Sequence, residues 1–475
     1  MLNIQVGHCY FLRYDRKQWE RGKPYPPLAT LQIAALLRRM GHVVSLFDAM
    51  LAQGVEDYAP RLHAASPELV VFYEDNFNFL TKMCLGRMRE AACRMIGEAR
   101  ARGARVLVAG SDASDHPAPF LAAGAHAVLT GEGIGALMAL VDRLARNPSI
   151  DADAWTEGLP GVATSARDDT RLVRLGAVPP DPRIAGLPAW DLVDVEAYRS
   201  FWLERHGYFS LNMAASRGCP FRCNWCAKPI WGNHYNQRPA ADVAAEMTFL
   251  KRTYRPDHLW MADDIFGFHV DWVTELAGHL ARSDGSIPFM IQTRADLASE
   301  RMVEALAAAG CSEAWIGAES GSQRVLDRMT KGTKVPDLIA ARRRLGERGI
   351  RVGFFIQLGY LGEALEDILA TRALVEEAAP DDVGVSVSYP LPGTRFYEEV
   401  RAQLGHKTHW DESDDLAMMF QGAYDTAFYR EVRDLLHRQV DGDASVDAGW
   451  QALVSRERDH RNAQPVALVR RANAS

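Results

Sequence analysis

Ser216-Arg-Gly-Cys-Pro-Phe-Arg-Cys-Asn-Trp-Cys226 places three cysteines within eight positions, at C-x3-C-x2-C spacing. Three thiolates on one loop can each bind a different iron of a 4Fe–4S cube and leave the fourth iron open to a small chelating ligand. A closed zinc site is the competing reading. It needs four ligands, often as two close pairs, and His234, eight residues past Cys226, is the nearest candidate for the fourth. Three thiols on a loop that follows a strand favour the cube.

Working outward, the chain reads as two series of alternating strands and helices. Ahead of the cysteines, Asn3–Gly7, Val43–Asp48, Leu69–Tyr73, Arg105–Gly110 and Ala127–Gly131 are short β-branched runs. Leu28–Met40 between the first two is an amphipathic helix, opened by Pro26-Pro27 and closed by Gly41. Alternation of this kind predicts a parallel, doubly wound sheet, flavodoxin-like, over residues 1–146. Residues 147–205 lose periodicity and are rich in Asp, Pro, Gly and Ala, as a linker is, with room for a small hairpin.

The second series begins with Tyr208–Ala215, just before the cysteines. It continues through His258–Ala262, Phe289–Thr293, Ala314–Ala318, Val352–Leu358 and Val383–Ser388, with helices such as Ala240–Thr253, Val270–Ala281 and Ser299–Ala309 between them. Six βα units over residues 206–400 predict an open, partial (βα)6 barrel, although strand count alone leaves a second flat sheet equally open. In either case the loops after the strands carry the site. Residues 401–475 read as a helical C-terminal extension, placed to close the barrel's open side.

Bulk properties narrow the classes. The 475 residues exceed a single core. The formal net charge is −7 with no long basic run, which argues against a nucleic-acid partner. Met1–Gly7 lacks a basic and then apolar leader pattern, and no membrane span is legible. Seven cysteines, odd in number and scattered apart from the triplet, suit a reduced cytoplasmic protein rather than a disulfide framework. Cys9, Cys84, Cys93 and Cys311 read as buried fillers.

The cysteine segment, with Trp225 just before its third Cys, resembles the signature of the radical S-adenosylmethionine (SAM) superfamily, over roughly Tyr208–Tyr397. The resemblance implies a 4Fe–4S cluster on Cys219, Cys223 and Cys226. It also implies a SAM site at the strand ends Met261–Phe266, Gln292–Asp296, Ile316–Gly321 and Gln357–Glu363, formed by Trp225, Asp263, Asp264, Thr293, Arg294, Glu319, Ser320 and Gly359. Tyr389–Thr394 fits the sixth strand end. Relatives often carry Pro where this chain has Leu361, which bears only on that turn. Asp264 has a second reading as a helix N-cap.

A doubly wound domain ahead of such a barrel resembles the cobalamin-dependent branch. That likeness implies a corrinoid near Pro27 and Leu28 at the first helix, Gly110, Ser111, Asp112 and Ala113 after the fourth strand, and Thr130, Gly131, Glu132 and Gly133 after the fifth. Small residues suit a backbone that must approach a bulky cofactor, and equally suit ordinary flavodoxin-like turns. The Asp-x-His-x-x-Gly pattern of other cobalamin proteins is broken here: Asp48-Ala-Met50 puts Met where the axial His would stand. His8, His42 and His126 lie outside that frame, so cobalamin is expected His-off.

The branch implies an enzyme acting at an unactivated carbon of a small molecule, fed by an electron donor such as flavodoxin or ferredoxin. Methyl transfer leads. An oxidative cyclase or ring-rearranging enzyme, resembling the anaerobic magnesium-protoporphyrin ester cyclase, is the runner-up. A tRNA methylthiotransferase and a non-enzymatic cobalamin sensor are alternatives from other classes. Changing Cys219, Cys223 and Cys226 together to Ala should abolish brown iron–sulfur absorption and bound iron. Cys311→Ser should keep both, as iron and sulfide assays on the two purified variants would show.

Overall fold

The computed structural model describes residues 1–77, 86–165, 186–226, 234–405 and 416–463. In its first part, β1 (Asn3–Gly7), β2 (Val43–Phe47), β3 (Leu69–Tyr73), β4 (Arg105–Ala109) and β5 (Ala127–Leu129) pair in parallel. β6 (Val162–Ala163) adds an antiparallel edge beside β5. The order is β2-β1-β3-β4-β5-β6. Chain order reverses between β1 and β3. Right-handed crossovers therefore put helices on both faces, and a crevice opens at the carboxyl ends of those two strands.

β6 corrects part of the linker reading. Trp155, in the helix Ala152–Thr156, is fully buried. Its Nε1 donates to Leu140 O at 2.8 Å, and the Arg105 guanidinium lies 4.8 Å from its ring centre. Residues 150–164 thus complete the first sheet. Farther on, Val195–His206 is a helix, capped by the Asp194 carboxylate, and Val195, Tyr198 and Trp202 are its buried residues.

The second part opens with β7 (Ser210–Met213). A short antiparallel pair follows, β8 (Ser216–Arg217) with β9 (Asn236–Gln237), bracketing the cysteine segment. Then come β10 (His258–Met261), β11 (Phe289–Thr293), β12 (Cys311–Glu319), β13 (Arg351–Leu358) and β14 (Asp382–Val387). The sheet runs β14-β13-β12-β11-β10-β7, all parallel and strictly sequential. A doubly wound sheet would reverse order somewhere. Sequential addition instead puts every crossover helix on one face, and Ala240–Thr253, Val270–Ser283 and Glu300–Ala309 indeed pack neighbour to neighbour. This is the order of a (βα) barrel left open. The helix Thr426–Val440 packs on β14 and on the helix Leu365–Ala378, so the extension covers the last strand.

The two parts are bonded along Pro24–Pro26. Trp202 Nε1 donates to Pro24 O at 2.7 Å, Asn212 Nδ2 to Pro26 O at 3.0 Å, and Tyr25 Oη lies 3.2 Å from Ser210 Oγ. No helix among the described residues is long and apolar enough to cross a membrane. Trp155→Ala should lower the unfolding free energy by about 3–5 kcal/mol, as removal of a buried aromatic does. A chemical-denaturation shift near zero would mean that residues 150–164 are a linker after all.

Candidate cofactor site

The cysteine loop is tied down from several sides. At its start, Asp263 is 2% exposed and accepts from Ala215 N at 3.1 Å and from the Ser216 hydroxyl. Burial pushes its carboxyl up to about 7, against the lowering effect of those bonds. Arg238 donates to Ala214 O at 2.8 Å. At its end, Asn224 donates through Nδ2 to Arg328 O at 2.7 Å and through its backbone to Met329 O at 3.1 Å. Its Oδ1 accepts from the Tyr360 hydroxyl at 2.9 Å, and its carbonyl from Phe396 N at 3.0 Å. Cys219 is buried, while Cys223 and Cys226 are half-buried.

Two cations stand beside the thiols. Arg294 lies 3.9 Å from Cys223 Sγ, covers the Phe221 ring at 3.8 Å, and is held by Asp296 at 2.9 Å through both Nε and Nη2. Lys331 is 7% exposed and bonds Glu319 Oε1 at 2.7 Å. Burial opposes its charge, but Glu319 and Cys223 outweigh that and hold its ammonium above the ordinary range. Glu319 has φ +60°, a region that costs a non-glycine residue about 1–3 kcal/mol.

These residues fit an iron–sulfur cube. Cys219, Cys223 and Cys226 supply three thiols from one loop, and a cube binds each thiolate at a separate iron. His234 is exposed. Trp225 Nε1 is buried without a partner among the described residues, a donor beside the third cysteine.

The strand ends lie at one edge of the parallel sheet, and several of their side chains are engaged in the fold. Both Asp263 oxygens brace the cysteine loop. The Thr293 hydroxyl donates to Phe266 O at 3.0 Å. The Ser320 hydroxyl is fully buried, 3.2 Å from Thr371 Oγ1, and accepts from Ser322 N at 3.1 Å. Its partner Thr371 belongs to the helix Leu365–Ala378. Asp264 caps no helix, since the next one begins after His269. Glu319, Arg294, Asp264 and Gly359 stay at the carboxyl edge. Gly359, with φ +74°, donates to Glu363 Oε2 at 2.6 Å.

The two predicted loops of the first domain meet: Gly131 N donates to Ser114 Oγ at 3.0 Å. A Cβ on Gly110 would stand 2.6 Å from Glu74 Cγ. Asp112 pairs with Arg89, and Ser111 and Ala113 are buried. Gly133, at φ +63°, opens the helix Ile134–Arg146 and would push a Cβ against Leu129. Thr130 Oγ1 is buried and unpartnered. Pro27 precedes the helix Leu28–Arg39, and the Leu28 side chain is wholly in the core.

The histidines are engaged. His8 is buried, with Nε2 2.9 Å from Asp48 Oδ1 and Nδ1 accepting from Tyr10 N at 3.4 Å. His42 accepts from Leu2 N and His126 from Val106 N, both at the amino edge of the sheet, opposite the loops. Met50 is packed in the core. Cys9 is buried, and Cys84 lies outside the described residues.

Sequence reasoning missed Arg217. From the cysteine loop it reaches Glu132 after β5 and Gln32 on the helix Leu28–Arg39, with its guanidinium 5.4 Å from the Phe77 ring centre. Both partners of the ion pair are nearly buried. The carboxyl ends of the two sheets therefore face each other across this pair. The order Ser-Arg-Gly-Cys offered no local signal, because its partners are 85 and 185 residues away.

Residues 213–375 match the profile described as Radical SAM superfamily. An uncharacterized methyltransferase of Pyrococcus horikoshii is 25% identical over 279 residues, 57% of each chain. The anaerobic magnesium-protoporphyrin IX monomethyl ester cyclase of a Synechocystis strain is 23% identical over 336 residues, 68% of this chain and 63% of that one. The chain thus spans a little over half the length of these curated relatives. A solved structure of the radical SAM methyltransferase TsrM of Kitasatospora setae, with cobalamin and a [4Fe–4S] cluster bound, superposes with a TM-score of 0.66 at 19% identity. The match covers 85% of this chain and 75% of that one, and establishes likeness of fold across both domains. Arg217→Met should destabilise the protein by about 3–5 kcal/mol by stranding the buried Glu132. Adding Glu132→Gln should recover part of that loss in a double-mutant cycle.

Proposed function

We propose that this chain, whose residues 213–375 match the Radical SAM superfamily profile, is a cobalamin-dependent radical SAM enzyme that methylates a carbon of a small molecule. The observation that carries the reading is the contact of Arg217 with Glu132 and Gln32. It sets the crevice of the first sheet against the mouth of the barrel, where a second cofactor and the cysteine loop would share one substrate space. When bound, the reduced cluster and SAM supply hydrogen-abstracting radical chemistry, and the corrinoid supplies a transferable methyl group.

In this reading Cys219, Cys223 and Cys226 hold the cluster. Arg294 and Lys331 set positive charge beside it, which favours thiolate and an electron-rich centre. Asp264 and Glu319 offer acceptors to the SAM ammonium and ribose, Trp225 a donor, and Gly359 a backbone edge to adenine. Asp263 is a positioning residue that keeps the loop shut against Ser216. Thr130 and the Gly110–Ala113 turn line the corrinoid's tail, and with His8, His42 and His126 all engaged the corrinoid is held His-off. A one-electron donor of the flavodoxin or ferredoxin class supplies reducing equivalents.

The second reading is oxidative ring closure, favoured by the long match to the ester cyclase. SAM carrying a labelled methyl group separates the two once a turned-over substrate is in hand. Methyl transfer should consume two SAM per product, one leaving as S-adenosylhomocysteine, with label on the product carbon. Release of 5′-deoxyadenosine alone with an unlabelled, oxidised product would reject methylation.

A further inference from the structure

Among the described residues that follow β1 and β3, one polar side chain is left without a hydrogen-bond partner on either of its polar atoms. Of the residues that follow these two strands, His8 is bound to Asp48, and Glu74 Oε1 accepts from Cys9 N at 2.9 Å. Asp75 Oδ1 accepts from Ala29 N at 3.0 Å and from Phe77 N at 3.4 Å, so it caps the helix Leu28–Arg39 from outside that helix. Asn76 lies among them with 0% exposure, and neither its Oδ1 nor its Nδ2 has a partner among the described residues. Its backbone N–H bonds Glu74 O at 2.9 Å. Phe77, next in the chain, lies under Arg217 from the cysteine loop.

A buried carboxamide with all its donors and acceptors unmet is costly, and folded proteins rarely keep one without a use. Asn76 stands at the topological switch point of a β2-β1-β3-β4-β5 sheet, where such folds bind their cofactors. A corrinoid carries carboxamides around its ring, each both donor and acceptor, which is the chemistry that an Asn side chain complements. We infer that Asn76 is a corrinoid-binding residue, its carboxamide hydrogen-bonding the macrocycle at the β1/β3 crevice. The inference rests on the cobalamin reading above and deepens it. It also carries a trade-off: the residue destabilises the empty protein and is satisfied only by the cofactor.

Asn76→Ala and Asn76→Leu in the full chain test this with hydroxocobalamin as the probe, its binding followed by visible absorption and the melting of cofactor-free protein followed in parallel. Both variants should melt at or above the wild-type Tm without corrinoid, and Asn76→Ala should bind hydroxocobalamin about tenfold more weakly. Wild-type affinity in Asn76→Ala would overturn the inference. So would a lowered Tm of the empty variants, which would mean that Asn76 is already satisfied within the fold. Failure of the wild-type chain itself to bind hydroxocobalamin would instead overturn the cobalamin reading, and this inference with it.

Discussion

A loop that holds its three thiols in a set arrangement binds a cluster at less ordering cost than one that must fold around it. The thiols cannot supply that rigidity, so other groups must. Asp263 fixes the loop where it leaves β7, Asn224 fixes it from within the Cys223–Cys226 turn, and Arg217 extends it to the first domain. Asn224 does the most with the least: four hydrogen bonds run to three separate segments near Arg328, Tyr360 and Phe396. The Asp263 bonds are buried and those of Tyr360 to Asn224 and Arg217 to Glu132 partly so, and there a lost bond leaves a desolvated group behind.

The same economy governs charge. Lys331, Glu319, Arg294, Glu132 and Asp263 are each less than a tenth exposed, and an isolated buried charge would be untenable. The cations are paired: Lys331 with Glu319, Arg294 with Asp296, and Arg217 with Glu132. Asp263, lacking a cation, has its carboxyl pushed up to about 7 by burial. The Glu319–Lys331 pair also holds Glu319 at φ +60°, beside a register shift between β12 and β13. At Gly321 a Cβ would lie 2.2 Å from Ala370 O, so glycine there lets the helix Leu365–Ala378 close on the site.

Topology divides the labour between the sheets. Strict sequential order in the second sheet gathers all its strand-end loops at one mouth. Reversal of order in the first opens a crevice between β1 and β3. Pro24–Pro26, bonded to β7 and to the helix Val195–His206, fixes how the crevice meets the mouth. A domain interface made of buried hydrogen bonds and one buried ion pair resists sliding more than a purely apolar one, because each displacement strands a polar group.

The amino-acid sequence by itself determined what is local. Cysteine spacing is a property of the covalent chain, so the triplet was legible without a fold. The strands and helices were legible too, because the burial of one face writes a period into the residues: Ala240–Thr253 and Phe289–Thr293 form as read. β6 escaped because two residues carry no period. Tertiary structure alone decided the rest. Which way a strand-end side chain turns depends on what packs behind it, so Ser320 goes to Thr371, Thr293 to Phe266 and Asp263 to the cysteine loop. Arg217 finds Glu132 and Gln32 only because two sheets, folded from distant parts of the chain, present their carboxyl ends to each other. No spacing in the sequence encodes that meeting; it follows from the burial of interfaces that local patterns do not specify.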